Sequence, residues 1–403
     1  MFLSMILTFF ICACLLGLFF APFPYWPTYF RLWKCVLFEK GTFVSKRRQA
    51  RFLLGAALRA PLWTAFWYLD ELLFPQYRQR EIKPVFIIGQ PRCGTTFLHR
   101  TLARDGQNFF AMRHLEWRYP FICVHKLIAL FGLEKRLGEA SYWPKSDAGE
   151  LAAKMHSNRL MDWEEDGIFF EENFLHHFFI YLRFPYPGLL PDIDAFPTLP
   201  ADVQEKMLVA HRKALQKVAY LRGVQHPLYL SKEVTSHNKI PALLRLYPEA
   251  RFIVVVRESS HFMPSLMALV RMSTWSKTGK DPLTLPGWHD SFVSRMREDS
   301  RRLVETCERT IPAERQLRVA AEDVIKRPSV SITTIYRALG LLVPGEVTAG
   351  LKDLDRGQAT RDRGYQYDPF SPDGFDEYDA FVRKNNAQFR AKVVGRAEEA
   401  LVE

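Results

Sequence analysis

The sequence has few of the features that mark several common protein classes. Its six cysteines are scattered over 403 residues, which does not fit the disulfide framework of a small secreted domain. It contains no Asn-x-Ser/Thr sequon, so N-linked glycosylation has no acceptor site. No zinc-type spacing, basic repeat or RNA-binding signature is present, and nucleic acid is therefore not expected as a partner.

What the sequence does contain is typical of a globular protein that attracts anions. Apolar residues make up 48% of the chain, enough for one large or two ordinary domains. The 55 Lys and Arg residues outnumber the 44 Asp and Glu residues, which gives a formal net charge of +11. Such a charge favours anionic partners without naming them. A phosphorylated nucleotide and an anionic lipid surface both fit.

The N-terminal segment predicts a membrane anchor. Residues 2–22 are almost wholly apolar, and about 20 such residues span a bilayer as a helix. Tyr25, Trp26 and Tyr29 follow at the place expected for interfacial aromatic residues. A cleaved signal peptide is the alternative, but no basic residue precedes the run and no clear cleavage site ends it. We therefore expect a retained single-pass anchor over residues 1–24.

The basic residues near this segment predict its orientation and the division of the chain. None precedes the apolar run, whereas Arg31, Lys34 and the cluster over 46–51 follow it, which places the body of the protein on the cytoplasmic side. Residues 25–80 are interpreted as a juxtamembrane region. It should contain an amphipathic helix, broken at Pro61, that lies on the membrane surface or packs on the body. Residues 81–403 would form the main domain.

Residues 84–102 predict a phosphate-binding site. The β-branched and aromatic run over 85–88 is typical of a buried parallel strand, and a turn rich in Gly and Pro follows over 89–94. A helix capped by Thr95 or Thr96 should come next. A strand, a glycine turn and a helix N-terminus together present backbone N–H groups and the positive end of a helix dipole, which bind phosphate.

This turn lacks the lysine of the phosphate loop in nucleotide hydrolases and kinases. Their pattern is GxxxxGK[ST], in which the lysine reaches the terminal phosphates, whereas here Thr95 and Thr96 follow Gly94 directly. The segment 92–97, Arg-Cys-Gly-Thr-Thr-Phe, instead resembles the 5′-phosphosulfate loop of sulfotransferases that use 3′-phosphoadenosine 5′-phosphosulfate (PAPS), [KR]-[ST]-G-T-T-[FWL]. The resemblance assigns donor binding to the following loop residues: Arg92, Cys93, Gly94, Thr95, Thr96 and Phe97.

A second motif far downstream resembles the same family. The buried-strand pattern over 251–256 ends at Arg257, and Ser265 follows after seven intervening residues. In these sulfotransferases an Arg and a Ser at this spacing bind the 3′-phosphate of the donor, and a guanidinium and a hydroxyl can bracket one phosphate. The family usually has proline two residues after the arginine, where this chain has Ser259.

The resemblance also supplies candidates for the transfer step. Arg92 and Lys232, at the end of a predicted strand, would stabilise the leaving group and the sulfonate. His237 is one candidate base, although the family pattern Lys-x-Pro-x-His has proline where this chain has Val234, and His237 lies one residue further from the lysine. Glu116 is the other candidate base, because several sulfotransferases carry a glutamate in the corresponding segment. The choice between Glu116 and His237 stays open.

Taken together, these motifs imply a fold and a reaction. The fold would be a three-layer α/β fold of the P-loop-like type, with a central parallel sheet flanked by helices, in addition to the N-terminal membrane helix. The reaction would transfer a sulfonate in line, without a metal, from PAPS to a hydroxyl of a small lipophilic acceptor such as a lipid or sterol. Two alternatives stay open: a nucleotide kinase or NTPase with a degenerate loop, and a non-catalytic membrane-associated relative that binds the nucleotide.

Overall fold

The computed structural model describes residues 25–39, 45–186, 189, 196–224, 228–359, 367 and 370–399, together with Met5, Thr8 and Cys12. The chain divides into two compact units. The first unit comprises residues 1–82, 112–225 and 270–292, and the second comprises residues 83–111, 226–269 and 293–403. This grouping does not test the predicted division into 1–24, 25–80 and 81–403, which stays a prediction.

The strands and helices are numbered here in chain order. The strands are β1 Pro84–Gly89, β2 Phe109–Phe110, β3 Leu228–Lys232, β4 Arg251–Val256 and β5 Gln316–Ala320. The helices are α1 Trp26–Phe38, α2 Lys46–Leu73, α3 Thr95–Leu102, α4 His114–Arg118, α5 Ile122–Leu130, α6 Glu134–Gly138, α7 Asp147–Met155, α8 Gly167–Glu172, α9 His177–Tyr181, α10 Ala201–Leu221, α11 Ile240–Leu246, α12 Ser259–Thr278, α13 Trp288–Glu305, α14 Ala321–Lys326, α15 Pro328–Ala338, α16 Gly345–Ala359 and α17 Asp376–Glu399.

The second unit contains a five-stranded parallel sheet in the order β2-β3-β1-β4-β5. Strand β1 is central and every one of its residues is buried, which is why its sequence is continuously apolar. Helix α3 packs against β1 and β3, α17 packs against β4 and β5, and α14 and α15 pack against β5. The predicted central parallel sheet flanked by helices is confirmed.

Parallel pairing brings the carboxyl ends of the central strands to one edge of the sheet. Strand β1 ends at Gly89, β3 ends at Lys232, and Arg257 follows directly after β4. In the ladder Ile87 lies opposite Lys232, and Gly89 lies opposite Val255. Open α/β sheets bind their ligands at this edge, so the sheet places both sequence motifs where a ligand site is expected.

In the first unit, helix α2 corrects one prediction from the sequence. It runs without interruption over Lys46–Leu73, with Pro61 inside it, so the predicted break at Pro61 is wrong. Proline removes one backbone hydrogen bond, but Leu53 before it and Trp63 and Trp67 after it are all buried. Packing on both sides of the proline stabilises the helix more than the lost bond destabilises it.

The predicted anchor over residues 1–24 lies outside the described residues, apart from Met5, Thr8 and Cys12. Over the part of the chain that the structure describes, no helix combines the length and the apolar character needed to cross a bilayer.

Candidate functional site

The turn between β1 and α3 has a backbone that requires glycine at its first position. Gly89 has φ +153°, and a Cβ atom there would lie 2.3 Å from the carbonyl oxygen of Val255 on the neighbouring strand. Gly94 has φ +85° and is the N-terminal cap of α3. These two glycines let the chain leave the sheet, turn tightly and begin the helix with its first N–H groups at the edge of the sheet.

Arg92, between these glycines, also has a left-handed backbone, with φ +68°. This conformation is unfavourable for a residue with a side chain and persists only where its surroundings fix it. Two contacts from the second motif do so. The guanidinium of Arg257 donates from Nη1 to the carbonyl oxygen of Arg92 at 3.0 Å, and Nε of Arg92 donates to Oγ of Ser265 at 2.8 Å.

The two predicted motifs therefore meet at one point in the second unit. Ser265 is buried in helix α12, and its hydroxyl donates to the hydroxyl of Tyr367 at 3.0 Å. Arg92 and Arg257 are both half-buried at the carboxyl edge of the sheet. These hydrogen bonds bring two guanidinium groups and a serine hydroxyl together at the turn that precedes α3, and such groups beside a helix N-terminus suit a dianion.

Ser259, the departure from the family pattern, has a structural partner. Its backbone N–H donates to Oδ1 of Asp379 at 2.8 Å, and its hydroxyl donates to Oδ2 of the same carboxylate at 2.6 Å. Both side chains are buried. Asp379 therefore supplies the first turn of α12 with an acceptor and a negative charge, as an N-terminal capping residue does.

Cys93, which stands where the family usually has serine, is fully buried. Burial raises the pKa of its thiol to about 12. The neighbouring Tyr378 donates from its hydroxyl to the carbonyl oxygen of Arg257 at 3.0 Å, and burial also raises the pKa of this phenol. Cys93 is thus a neutral packing residue beneath the loop rather than a nucleophile.

Lys232 and His237 both lie in the second unit. Lys232 is the last residue of β3, next to β1, and is buried. His237 follows it in a short helical turn and is also buried, with Nε2 3.6 Å from Oδ1 of Asp299. Asp299 in turn accepts a hydrogen bond from Nη2 of Arg295 at 2.8 Å.

Glu116 lies in the first unit, in the short helix α4. Its carboxylate accepts from the backbone N–H of Arg113 at 2.6 Å, which closes a capping box, and from Nε of Arg222 at 2.9 Å. The side chain is 5% exposed. These contacts fix the carboxylate of Glu116 as an acceptor for Arg113 and Arg222, both in its own unit.

Sequence reasoning missed the residues that the C-terminal segment contributes to the site. Tyr367, Tyr378 and Asp379 contact Ser265, Arg257 and Ser259 respectively. No motif marked them, because a tyrosine or an aspartate at the start of a helix is common.

A family model described as the sulfotransferase family matches residues 84–344, a range that includes the glycine turn, Lys232, Arg257 and Ser265. The chain belongs to the sulfotransferase family. The family and the enzyme class predicted from the two motifs are thereby confirmed. The tyrosines and the aspartate of the C-terminal segment lie beyond the matched range.

Sequence identity to individual sulfotransferases is low. The omega-hydroxy-beta-dihydromenaquinone-9 sulfotransferases Stf3 of Mycobacterium bovis and Mycobacterium tuberculosis are each 25% identical over 270 residues. The match spans 64% of this chain and 63% of the relative, so less than two thirds of those relatives is covered.

Two solved sulfotransferase structures show the same fold. STF1 from Mycobacterium tuberculosis superposes with a TM-score of 0.61 at 18% identity, over 88% of this chain and 92% of STF1. STF9 from Mycobacterium avium gives a TM-score of 0.62 at 17% identity, over 90% of this chain and 89% of STF9.

Proposed function

We propose that this sulfotransferase transfers a sulfonate from PAPS to a hydroxyl of a small lipophilic acceptor, in line and without a metal. The contact of Arg257 and Ser265 with Arg92 is the single observation that carries the donor assignment. It joins the two segments that the resemblance assigns to opposite ends of one bisphosphorylated nucleotide.

The donor would be held by complementary charge at the carboxyl edge of the sheet. The N–H groups at the start of α3 and the hydroxyl of Thr96 would bind the 5′-phosphate. Thr96 is half-buried in the first turn of that helix, and helix N-termini favour anions. Arg257 and Ser265 would bind the 3′-phosphate, and Phe97 would complete the loop. The missing loop lysine favours this donor over a magnesium nucleotide.

Transfer would depend on cations that are fixed before the reaction. Negative charge develops on the oxygen that bridges sulfur and phosphorus as that bond breaks, and preorganised cations stabilise it most where water is excluded. Lys232 is buried at the end of the strand next to β1, and Arg92 lies in the loop itself. These two side chains would supply the positive charge that a metal supplies in phosphoryl transfer.

The base that accepts the proton of the acceptor hydroxyl would be His237 or Glu116. The imidazole of His237 lies beside the carboxylate of Asp299, an arrangement that can orient a base. The carboxylate of Glu116 already accepts from Arg222 and from the backbone of Arg113. These contacts favour His237 as the base and a structural role for Glu116.

Two variants separate these roles. His237→Asn should lower kcat strongly while leaving the affinity for adenosine 3′,5′-bisphosphate unchanged. Glu116→Gln should lower the free energy of unfolding because the partner of Arg222 loses its negative charge, with kcat per folded molecule retained. The reverse pattern would assign the base to Glu116.

The acceptor class is supported by the named substrate of the relatives, a hydroxylated menaquinone derivative. The direct test is transfer of labelled sulfate from PAPS to a panel of hydroxylated isoprenoid lipids and sterols. We expect labelled product with the wild-type protein and with Lys384→Met, an exposed lysine on α17, but not with Lys232→Met. Nucleotide binding without transfer to any acceptor would instead favour the non-catalytic alternative.

A further inference from the structure

The outward face of helix α2 has the composition of a membrane-binding surface rather than of a water-facing one. Twelve residues of this helix are exposed, and none of them is acidic. A helix on the surface of a soluble protein normally turns charged residues of both signs to water and its apolar stripe to the core. Helix α2 buries apolar residues such as Leu53, Trp63 and Trp67 and exposes a second set of apolar residues in addition.

The exposed apolar residues of α2 repeat at helical spacing. They include Leu54, Leu58, Leu62, Leu69, Leu72 and Leu73. Leu58 and Leu72 are 75% and 77% exposed, so most of each side chain lies outside the protein core. Scattered exposed leucines are ordinary, but a continuous stripe along one helix indicates an interaction surface.

The charge of the same face is positive at one end. Lys46, Arg47, Arg48 and Arg51 are all exposed and occupy the first turns of the helix, directly before the leucines begin. The acidic residues of α2 come near its end, and Asp70 is buried against Lys217. A leucine stripe that begins with a basic cluster is the pattern of helices that lie in the interface of an anionic bilayer.

The two helices that pack beside α2 share this character. Helix α1 packs against α2 and exposes Phe30, Leu37 and Phe38 together with Arg31 and Lys34, and no acidic residue within its bounds. Helix α5 also packs against α2. It ends in a second exposed apolar segment that contains Leu127, Leu130 and Phe131.

We propose that the exposed face of α1, α2 and α5 lies in the interface of an anionic lipid bilayer, with α2 parallel to the membrane plane. Leucine and phenylalanine side chains would enter the acyl boundary, and the basic cluster would contact lipid phosphates. A bilayer fits better than a second copy of the chain, because a copy would bring a net charge of +11 against another. The proposal rests on the first unit alone and is independent of the transfer reaction.

A photo-crosslinking experiment on the full chain tests this proposal. A genetically encoded benzophenone amino acid replaces Leu58 in one variant and Leu342 in another. Leu342 is a matched control, because it is a leucine of the second unit that is 88% exposed. Each protein is illuminated with vesicles of phosphatidylcholine that contain a minor fraction of phosphatidylglycerol, and adducts are identified by mass spectrometry.

We expect severalfold more lipid adduct from position 58 than from position 342. The amount of lipid adduct from position 58 should fall when phosphatidylglycerol is omitted from the vesicles. Because the probe reports the position of one side chain, insertion of residues 1–24 elsewhere in the membrane does not produce this signal. Equal lipid adducts at the two positions would overturn the proposal. So would crosslinks from position 58 to a second copy of the chain or to residues 1–24.

Discussion

Arg257 donates a hydrogen bond from its guanidinium to the backbone carbonyl of Arg92 at 3.0 Å, across 165 residues of sequence. Arg92 in turn donates a hydrogen bond from Nε to the hydroxyl oxygen of Ser265, in the second motif, at 2.8 Å. The left-handed backbone of Arg92 is therefore stabilised by the segment that is proposed to bind the other end of the donor. Each motif therefore helps to fix the conformation of the other.

Replacing Arg257 should weaken binding of adenosine 3′,5′-bisphosphate. Arg257→Ala removes the hydrogen bond to the carbonyl oxygen of Arg92 and would remove the proposed charge-assisted contact to the 3′-phosphate, so we expect the Kd to rise roughly 10- to 100-fold. Isothermal titration calorimetry measures it. Arg251→Ala is the control, because Arg251 lies at the opposite end of the same strand and is exposed; its Kd should stay within about twofold of the wild type. Equal effects of the two variants would contradict the assignment.

Gly89 should tolerate no side chain. In Gly89→Ala the new methyl group would meet the carbonyl oxygen of Val255 at 2.3 Å, with a φ of +153° that residues with a side chain rarely adopt. We expect a loss of several kcal/mol in the free energy of unfolding or failure to fold. Gly106→Ala is the matched control, because nothing lies within 4 Å of its Cβ position. Urea denaturation followed by circular dichroism compares the two, and similar stabilities would show that the close contact of β1 and β4 is wrong.

Replacing Asp379 should lower both the free energy of unfolding and the affinity for the donor nucleotide. Asp379→Ala removes both acceptors from Ser259 at the start of α12, and loss of a helix cap costs about 1–2 kcal/mol. Because α12 carries Ser265, the Kd for adenosine 3′,5′-bisphosphate should rise as well. Ser259→Ala, which keeps the backbone donor, should show a smaller change in both quantities. Glu377→Ala is the control, because Glu377 is an exposed residue of α17, the helix that contains Asp379. It should leave the Kd unchanged.

Glu171 in the first unit should make the free energy of unfolding depend on pH in the acid range. Burial raises the pKa of this carboxyl, but Arg183, Arg118 and Lys277 outweigh it and hold the pKa at about 2. A depressed folded pKa contributes stability that is complete above the unfolded pKa of about 4.3 and is lost as pH falls toward 2. The contribution is up to about 3 kcal/mol at neutral pH.

Glu171→Gln should therefore lower the free energy of unfolding at pH 7 and flatten its dependence on pH between about 4.5 and 2. Denaturant titrations across this range measure the slope. Glu205→Gln, at an exposed position on α10, is the control and should keep the wild-type slope. An unchanged slope in Glu171→Gln would show that the guanidinium groups do not stabilise its charged form.

The sequence predicts those parts of the fold whose signals are local. The strand predicted over 85–88, the glycine turn and the helix after it follow from neighbouring residues, and the structure contains all three. The same is true of the strand that ends before Arg257. These segments are buried on both sides or need a specific backbone, so their residue types are strongly constrained. The predicted cap is wrong, because Gly94 and not Thr95 or Thr96 is the N-terminal cap of the helix.

What the sequence could not predict depends on contacts between distant segments. Helix α2 continues through Pro61 because buried residues flank it, which no local propensity reveals. The roles of Tyr378 and Asp379 arise only when the C-terminal helix packs against β4 and β5. Glu116 matched a family segment, but its contacts with Arg222 appear only in the folded chain. Local patterns therefore predicted where the two motifs lie in the fold better than which side chains contact them.

Ligand-induced thermal stabilisation distinguishes a site for the bisphosphorylated adenosine of PAPS from a site for a magnesium nucleotide. The full chain is heated with adenosine 3′,5′-bisphosphate or with ATP and magnesium at equal concentrations. We expect a concentration-dependent rise in Tm with the bisphosphate, corresponding to about 2.7 kcal/mol at a ligand concentration of 100 Kd, and little change with ATP and magnesium. A Tm that rises with ATP and magnesium and not with the bisphosphate would contradict PAPS as the donor and favour a nucleotide kinase or NTPase.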